Sequence, residues 1–185
     1  MNIRDMMRRS AIFHKNKLAI IAGERRLSFG EAWERGTRMA NLLLSMGLQP
    51  GDRVASLEDN TIEAVDFFLG AAIANLVRVP LYARNARASH QHMMEHTGCK
   101  AVVVAEKYAD QLEGMTQDIP SLDHIIVRTA EGYENWLASF SAEDPNVPVH
   151  SEDLYVIRHT GGTTGKPKGV SFTHQAWLDI GRNWF

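Results

Sequence analysis

Thr160-Gly161-Gly162-Thr163-Thr164-Gly165-Lys166-Pro167-Lys168-Gly169 contains four glycines, three threonines, two lysines and one proline, with no acid and no large apolar side chain. Such a stretch buries nothing and repels no anion. Glycines let successive backbone N–H groups turn toward one point and let a ligand approach closely. Threonine hydroxyls add donors and suit a phosphate-bound Mg²⁺. Lysines direct positive charge at a polyphosphate. Physically this is a triphosphate-binding loop, and its flanks decide its kind. Tyr155-Val156-Ile157 reads as a strand before it and Val170-Ser171-Phe172 as a strand after it.

A strand-to-helix cradle of the form G-x-x-x-x-G-K-[ST] does not fit. Aligned on Gly165-Lys166, Thr160 stands where the first glycine belongs and Pro167 where the hydroxyl belongs. Pro167 also removes an amide that would begin the phosphate-binding helix. A hairpin clamp between two strands is predicted instead, poorly ordered without ligand because it has little to bury.

Outward from the loop, strand-like and helical segments alternate about every 20 residues, the rhythm of βαβ units with parallel strands and right-handed crossovers. Helices are predicted at Ile3 to Phe13, after Ser28, after Asn60, from Ser89 to His96, around Tyr108–Met115 and from His174 onward. Strands are predicted at Ala19–Ala22, Val54–Leu57, Val77–Leu81, Ala101–Ala105 and His124–Val127. Ser28 and Glu31 have the spacing of a reciprocal helix cap, repeated by Asn60 and Glu63. The helix after Asn60 is expected to turn Val65, Phe68, Leu69, Ala72 and Ile73 inward. Glu143, Asp144, Pro145, Asn146 and Pro148 make Ala142–Val149 a connector. Residues 1–149 therefore form an α/β lobe, and residues 150–185 the loop hairpin and the start of a following helix.

Composition excludes several classes of function. The 185 residues hold 20 Lys+Arg against 22 Asp+Glu, a net charge of −2, with no block of like charge to hold a nucleic-acid backbone. No apolar run approaches the roughly 20 residues of a membrane helix. Cys99 is the single cysteine and cannot form an internal disulfide. Arg8-Arg9 is followed by His14, Lys15 and Lys17 where a twin-arginine signal has its apolar stretch. A soluble, cytoplasmic protein is expected.

Tyr155 to Val170, with Thr173-His174 beyond, resembles the phosphate-loop signature of the adenylate-forming superfamily, which includes acyl- and aryl-CoA synthetases, luciferases and peptide-synthetase adenylation domains. Gly161 replaces the commoner serine, a form similar to that of fatty-acyl-CoA synthetases. Leu27–Ala32, Gly51–Ala55, Asn60–Glu63 and Val79–Leu81 are similar to the family's N-terminal landmarks in their usual order. The resemblance implies the N-terminal lobe of that fold, a mixed or parallel sheet with flanking helices and a glycine-rich hairpin loop. It also implies an enzyme that joins a carboxylic, fatty-type acid to ATP and then to CoA, with Mg²⁺. Thr160, Gly161, Gly162, Thr163, Thr164, Gly165 and Lys168 would bind the nucleotide phosphates, and Thr160 would help to hold Mg²⁺. Lys166 has only a general electrostatic role.

The family's later segments carry the aromatic Y-G-x-T-E-like stretch, the ribose-binding aspartate, the hinge and the catalytic lysine. Most of the acyl pocket is also expected beyond Phe185. No catalytic residue is therefore assigned here, and these residues by themselves are not expected to complete adenylation. An acceptor other than CoA, a nucleotide-binding module without chemistry, and a homodimer all stay open.

Other patterns have plainer readings. His92-Met93-Met94-Glu95-His96 matches H-x-x-E-H, with His90 and Cys99 close by, but a five-residue pattern arises easily among 8 histidines. His174 is better read as an anchor at a helix start than as a general base. Trp33, Phe67 and Phe68 suit an acyl tunnel, yet aromatic residues at helical spacing are usually core. Trp177 and Trp184, seven apart on one helical face, are packing residues by the same reasoning.

Overall fold

In the computed structural model, residues 1–160 and 167–182 are described. The chain runs through α1 (Ile3–Phe13), β1 (Leu18–Ala22), β2 (Arg25–Ser28), α2 (Phe29–Ser45), β3 (Arg53–Leu57), α3 (Ile62–Ile73) and β4 (Val77–Pro80). It continues through α4 (Arg87–Thr97), β5 (Cys99–Ala105), a 3-10 helix (Glu106–Leu112), α5 (Met115–Asp118), β6 (His124–Arg128), α6 (Tyr133–Ala138), β7 (Leu154–His159), β8 (Gly169–Thr173) and α7 (His174–Arg182).

Local chemistry sets the helix starts. Asn2 caps α1, accepting from the Asp5 amide at 2.7 Å. Ser28 and Glu31 close the expected reciprocal cap on α2, the Ser28 amide donating to Glu31 Oε2 at 2.8 Å and the Glu31 amide to Ser28 Oγ at 3.2 Å. On α3 the cap falls one residue later than expected. Thr61 Oγ1, not Asn60, accepts from the Ala64 amide at 3.2 Å, and Asn60 is exposed.

Six strands form one sheet in the order β6-β5-β3-β4-β7-β8, parallel except for β8, which pairs antiparallel with β7. Parallel strands covered on both faces read as continuous apolar runs, as in Ala101–Ala105. Alternate residues serve opposite faces: Val54, Ala101 and Val103 pack under α2, α3 and α6, and Ala55, Leu57, Val102 and Val104 under α4, the 3-10 helix and α5. A third cluster of Ile3, Ala72, Tyr155, Val156 and Leu178 ties α1 and α7 to β7.

The α2–α3 contact is closed by two glycines. A Cβ on Gly70 would lie 2.5 Å from Met39 Cγ, and one on Gly36 would lie 2.6 Å from Leu69 Cβ. Beside that contact, Arg35 donates to both carboxylate oxygens of Asp66 at 2.8 and 2.7 Å, and Tyr133 donates to Asp66 Oδ2 at 3.0 Å.

Several expectations need correction. Arg25–Ser28 is a strand, paired antiparallel with β1 in a separate hairpin that turns at Gly23 with φ 61°. The helix expected around Tyr108–Met115 is a 3-10 helix ending at Leu112, then a break at Gly114 with φ 76° and the short α5. α6 lies where no helix was expected. On α3, Phe67 is buried while Val65 and Phe68 are only half-buried, because α3 covers the sheet with one side and faces an open cavity with another.

Candidate functional site

α3 follows β3 to one face of the sheet and α4 follows β4 to the other. The carboxyl ends of β3 and β4 thus flank a switch point, where open α/β sheets form their binding crevices. The glycine-rich loop leaves the sheet beside it. β7 and β8 pair up to His159 opposite Gly169, and the Thr160 amide then donates to the Lys168 carbonyl at 2.9 Å. The Lys168 amide lies 3.4 Å from Thr160 Oγ1. Thr160 and Lys168 are both exposed and stand opposite each other at the neck of the loop. Gly161, Gly162, Thr163, Thr164, Gly165 and Lys166 lie outside the described residues, as do the expected state of the loop without ligand and Trp184.

The neck is braced from two sides. The Tyr82 hydroxyl, just after β4, donates to the His159 carbonyl at 2.9 Å, and His90 Nε2 lies 3.0 Å from the Tyr82 carbonyl. From α4, His92 Nε2 approaches the Pro167 carbonyl at 3.3 Å. The His92 and His96 rings stack with centroids 5.6 Å apart, and His159 meets the His96 ring edge-on at 6.2 Å. Burial, then the neighbouring His96 and His92, keep His159 below its ordinary pKa. Among the described residues no group of three or more His, Cys, Asp and Glu is placed to hold a metal ion. The H-x-x-E-H segment thus supports the loop's return arm, with Glu95 exposed. Glycine at 169 has a steric reason, since a Cβ there would lie 2.8 Å from Ile157 Cγ2.

His174 is fully buried at the start of α7. Its Nδ1 accepts from the Ile3 amide at 3.3 Å, and its ring lies 4.9 Å from that of Tyr155. Loss of solvation lowers its pKa to about 4. It is thus a neutral anchor joining α1 to the loop hairpin, and Thr173 caps α7 by accepting from the Ala176 amide at 3.1 Å.

Trp33, Phe67 and Phe68 line a cavity of about 860 Å³ over the β3–β4 crevice. Its floor includes Ser56, Arg78 and Pro80, and its rim reaches Tyr82 at the loop neck. The sequence offered these aromatics both as the wall of an acyl tunnel and as core, and nothing in their spacing separated the two.

The parallel sheet, its switch-point crevice and the β7–β8 pair define an α/β lobe, and comparison with known proteins makes its class specific. Residues 7–184 match the family model described as AMP-binding enzyme, and the chain belongs to that family. It is 30% identical to the long-chain-fatty-acid–CoA ligase FadD13 of Mycobacterium tuberculosis, over 86% of this chain and 32% of that protein. It is 26% identical to the 3-oxocholest-4-en-26-oate–CoA ligase of Rhodococcus rhodochrous, over 98% of this chain and 35% of that one. Among solved structures, the N-terminal domain of FACL13 from Mycobacterium tuberculosis superposes with a TM-score of 0.86 at 29% identity, over 94% of this chain and 44% of that one. The chain spans about a third of the length of these curated relatives. No helix among the described residues is long and apolar enough to cross a membrane.

Proposed function

We propose that these residues form the ATP-phosphate-binding lobe of an AMP-forming acid–thiol ligase, one that activates a carboxylic acid of fatty type as its adenylate and passes it to CoA. The observation that carries this reading is the neck of the loop, where the Thr160 amide bonds the Lys168 carbonyl and both residues face solvent beside the crevice. Thr160, Gly161, Gly162, Thr163, Thr164, Gly165 and Lys168 are the proposed phosphate-contacting residues. Their donors would stabilise charge developing on the departing pyrophosphate.

The exposed hydroxyl of Thr160 at this neck suits a phosphate-held magnesium ion, which takes one or two protein oxygens and keeps the rest of its shell from phosphate and water. When bound, magnesium would supply charge neutralisation across the phosphates. The hairpin of residues 150–185 is proposed as the part that closes on nucleotide, residues 1–149 as the frame that holds it, and the cytoplasm as the compartment that supplies ATP and CoA.

The test is thioester formation from ATP, CoA and a long-chain acid, in a protein that carries the remaining two-thirds its relatives possess. Lys168→Ala is expected to lower kcat/KM at least tenfold, and an unchanged value would remove the loop from the chemistry. Residues 1–185 by themselves are expected to give no acid-dependent ATP–pyrophosphate exchange. Measurable exchange would overturn that expectation.

A further inference from the structure

Pro80 ends β4 and has no backbone N–H to give, and β4 meets β7 at a single parallel pair, Arg78 with Val156. Beyond that pair, β7 runs to the glycine-rich loop with no further pairing to β4 among the described residues. Two side chains take over there. The Tyr82 hydroxyl donates to the His159 carbonyl at 2.9 Å, and His92 Nε2 lies 3.3 Å from the Pro167 carbonyl. A carbonyl oxygen only accepts, so His92 holds Pro167 through an Nε2–H. One bond anchors the arm that enters the loop, the other the arm that leaves it.

Both donors are themselves held. The Tyr82 carbonyl accepts from the Asn85 amide at 2.8 Å and lies 3.0 Å from Nε2 of the buried His90. The His92 ring stacks on His96 at an interplanar angle of 22°, and the next two residues of α4, Met93 and Met94, are buried. Every described peptide is trans, and a trans peptide points its C=O and N–H in opposite directions. Holding the His159 carbonyl at Tyr82 therefore sends the Thr160 amide the other way, to the Lys168 carbonyl at 2.9 Å. Holding the Pro167 carbonyl at His92 sends the Lys168 amide toward Thr160 Oγ1, 3.4 Å away. Two bonds from outside the hairpin thus fix the two peptide planes that carry Thr160 and Lys168. They also keep both carbonyl oxygens from turning toward an anion.

We infer that Tyr82 and His92 are positioning residues for the glycine-rich loop, which by occupying the His159 and Pro167 carbonyls set Thr160 and Lys168 in the orientation that takes the β- and γ-phosphates of ATP. The inference rests on the phosphate-binding role proposed for the loop and adds to it two residues distant in sequence that act through the neck. Their contribution is preorganisation, since a neck already set gives up less freedom when nucleotide arrives.

The experiment is calorimetric titration of the 185-residue chain with MgATP and with AMP, unsubstituted and as Tyr82→Phe, His92→Leu and His92→Gln. Tyr82→Phe keeps the ring and loses only the donor, and His92→Gln keeps an N–H where His92→Leu does not. Tyr82→Phe and His92→Leu are each expected to weaken MgATP about three- to tenfold, the contribution of one hydrogen bond, and to leave AMP unchanged. His92→Gln is expected to recover the affinity that His92→Leu loses, which a purely structural role would not require. Undiminished MgATP affinity in Tyr82→Phe or His92→Leu, MgATP and AMP weakened alike, or no recovery in His92→Gln would each overturn the proposal while leaving the loop's own role intact. No preference for MgATP over AMP in the unsubstituted chain would overturn the loop's role and the brace with it, and that result is seen before any variant is made.

Discussion

Two arginines on the same side of the sheet, one half-buried and one buried, have opposite surroundings. Arg35, between α2 and α3, is matched by both oxygens of Asp66 and by Glu134, at distances of 2.6 to 3.0 Å. Arg78, one strand away, has two aromatic rings and an open cavity. A charge inside a fold is either neutralised by the chain or kept for something that arrives, since leaving it alone is costly. The α2–α3 layer is therefore a closed structural unit, with Gly36 and Gly70 letting the helices touch. The crevice beside it is open, with Arg78 on its wall.

The sharpest way to break this contrast is to unpair the closed side. Asp66→Ala leaves half-buried Arg35 with Glu134 as its remaining carboxylate and removes the two Arg35 bonds and the Tyr133 bond to a buried acceptor; it is expected to cost about 3–5 kcal/mol of folding stability in urea denaturation, at roughly 1–3 kcal/mol for each hydrogen bond to a charged group. A cost below about 1 kcal/mol would mean that the pair is no more structural than a surface bridge.

Acid should act next most strongly, through His174. Its ordinary pKa of 6.5 falls to about 4 in the folded chain. Between those values the unfolded chain takes up a proton that the folded chain refuses. Stability contributed by this residue is therefore complete above pH 6.5 and falls as the pH drops toward 4, by about 3 kcal/mol in all. Denaturation midpoints measured from pH 7 to 4 should show this slope, and His174→Asn should flatten it.

Gly70→Ala forces a Cβ to within 2.7 Å of Met39 Cβ and 3.0 Å of the Ala40 amide nitrogen. The expected loss is about 1–3 kcal/mol, the range for overpacked cores. The smallest effect belongs to the open side. Arg78→Met removes an uncompensated charge but also a cation–π contact worth about 0.5–2 kcal/mol, so stability should change by less than about 1 kcal/mol. A loss above 2 kcal/mol in denaturant unfolding would make Arg78 as structural as Arg35.

Much of the fold was legible because short-range rules governed it. The Ser28–Glu31 cap, the alternation of apolar strands with helices, and the two strands that flank the glycine-rich stretch each have a local cause, and each stands where the sequence put it. β2 was missed because Arg25-Arg26-Leu27-Ser28 has one apolar residue and pairs only with β1, away from the main sheet. α6 was missed because its two buried residues, Tyr133 and Leu137, gave too short a pattern. The cavity as a whole could not be read, since its wall is gathered from α1, β1, α2, α3 and the ends of β3 and β4. One signal was available: a lone arginine in mid-strand, flanked on both sides by buried aliphatic residues.

The hairpin between β7 and β8 is proposed to hold the β- and γ-phosphates of ATP. It is tested most directly by calorimetric titration of the chain with MgATP and with AMP under identical conditions. Tighter binding of MgATP is expected, with the difference abolished in Lys168→Ala. Equal affinity for the two nucleotides, or a difference untouched by Lys168→Ala, would contradict it.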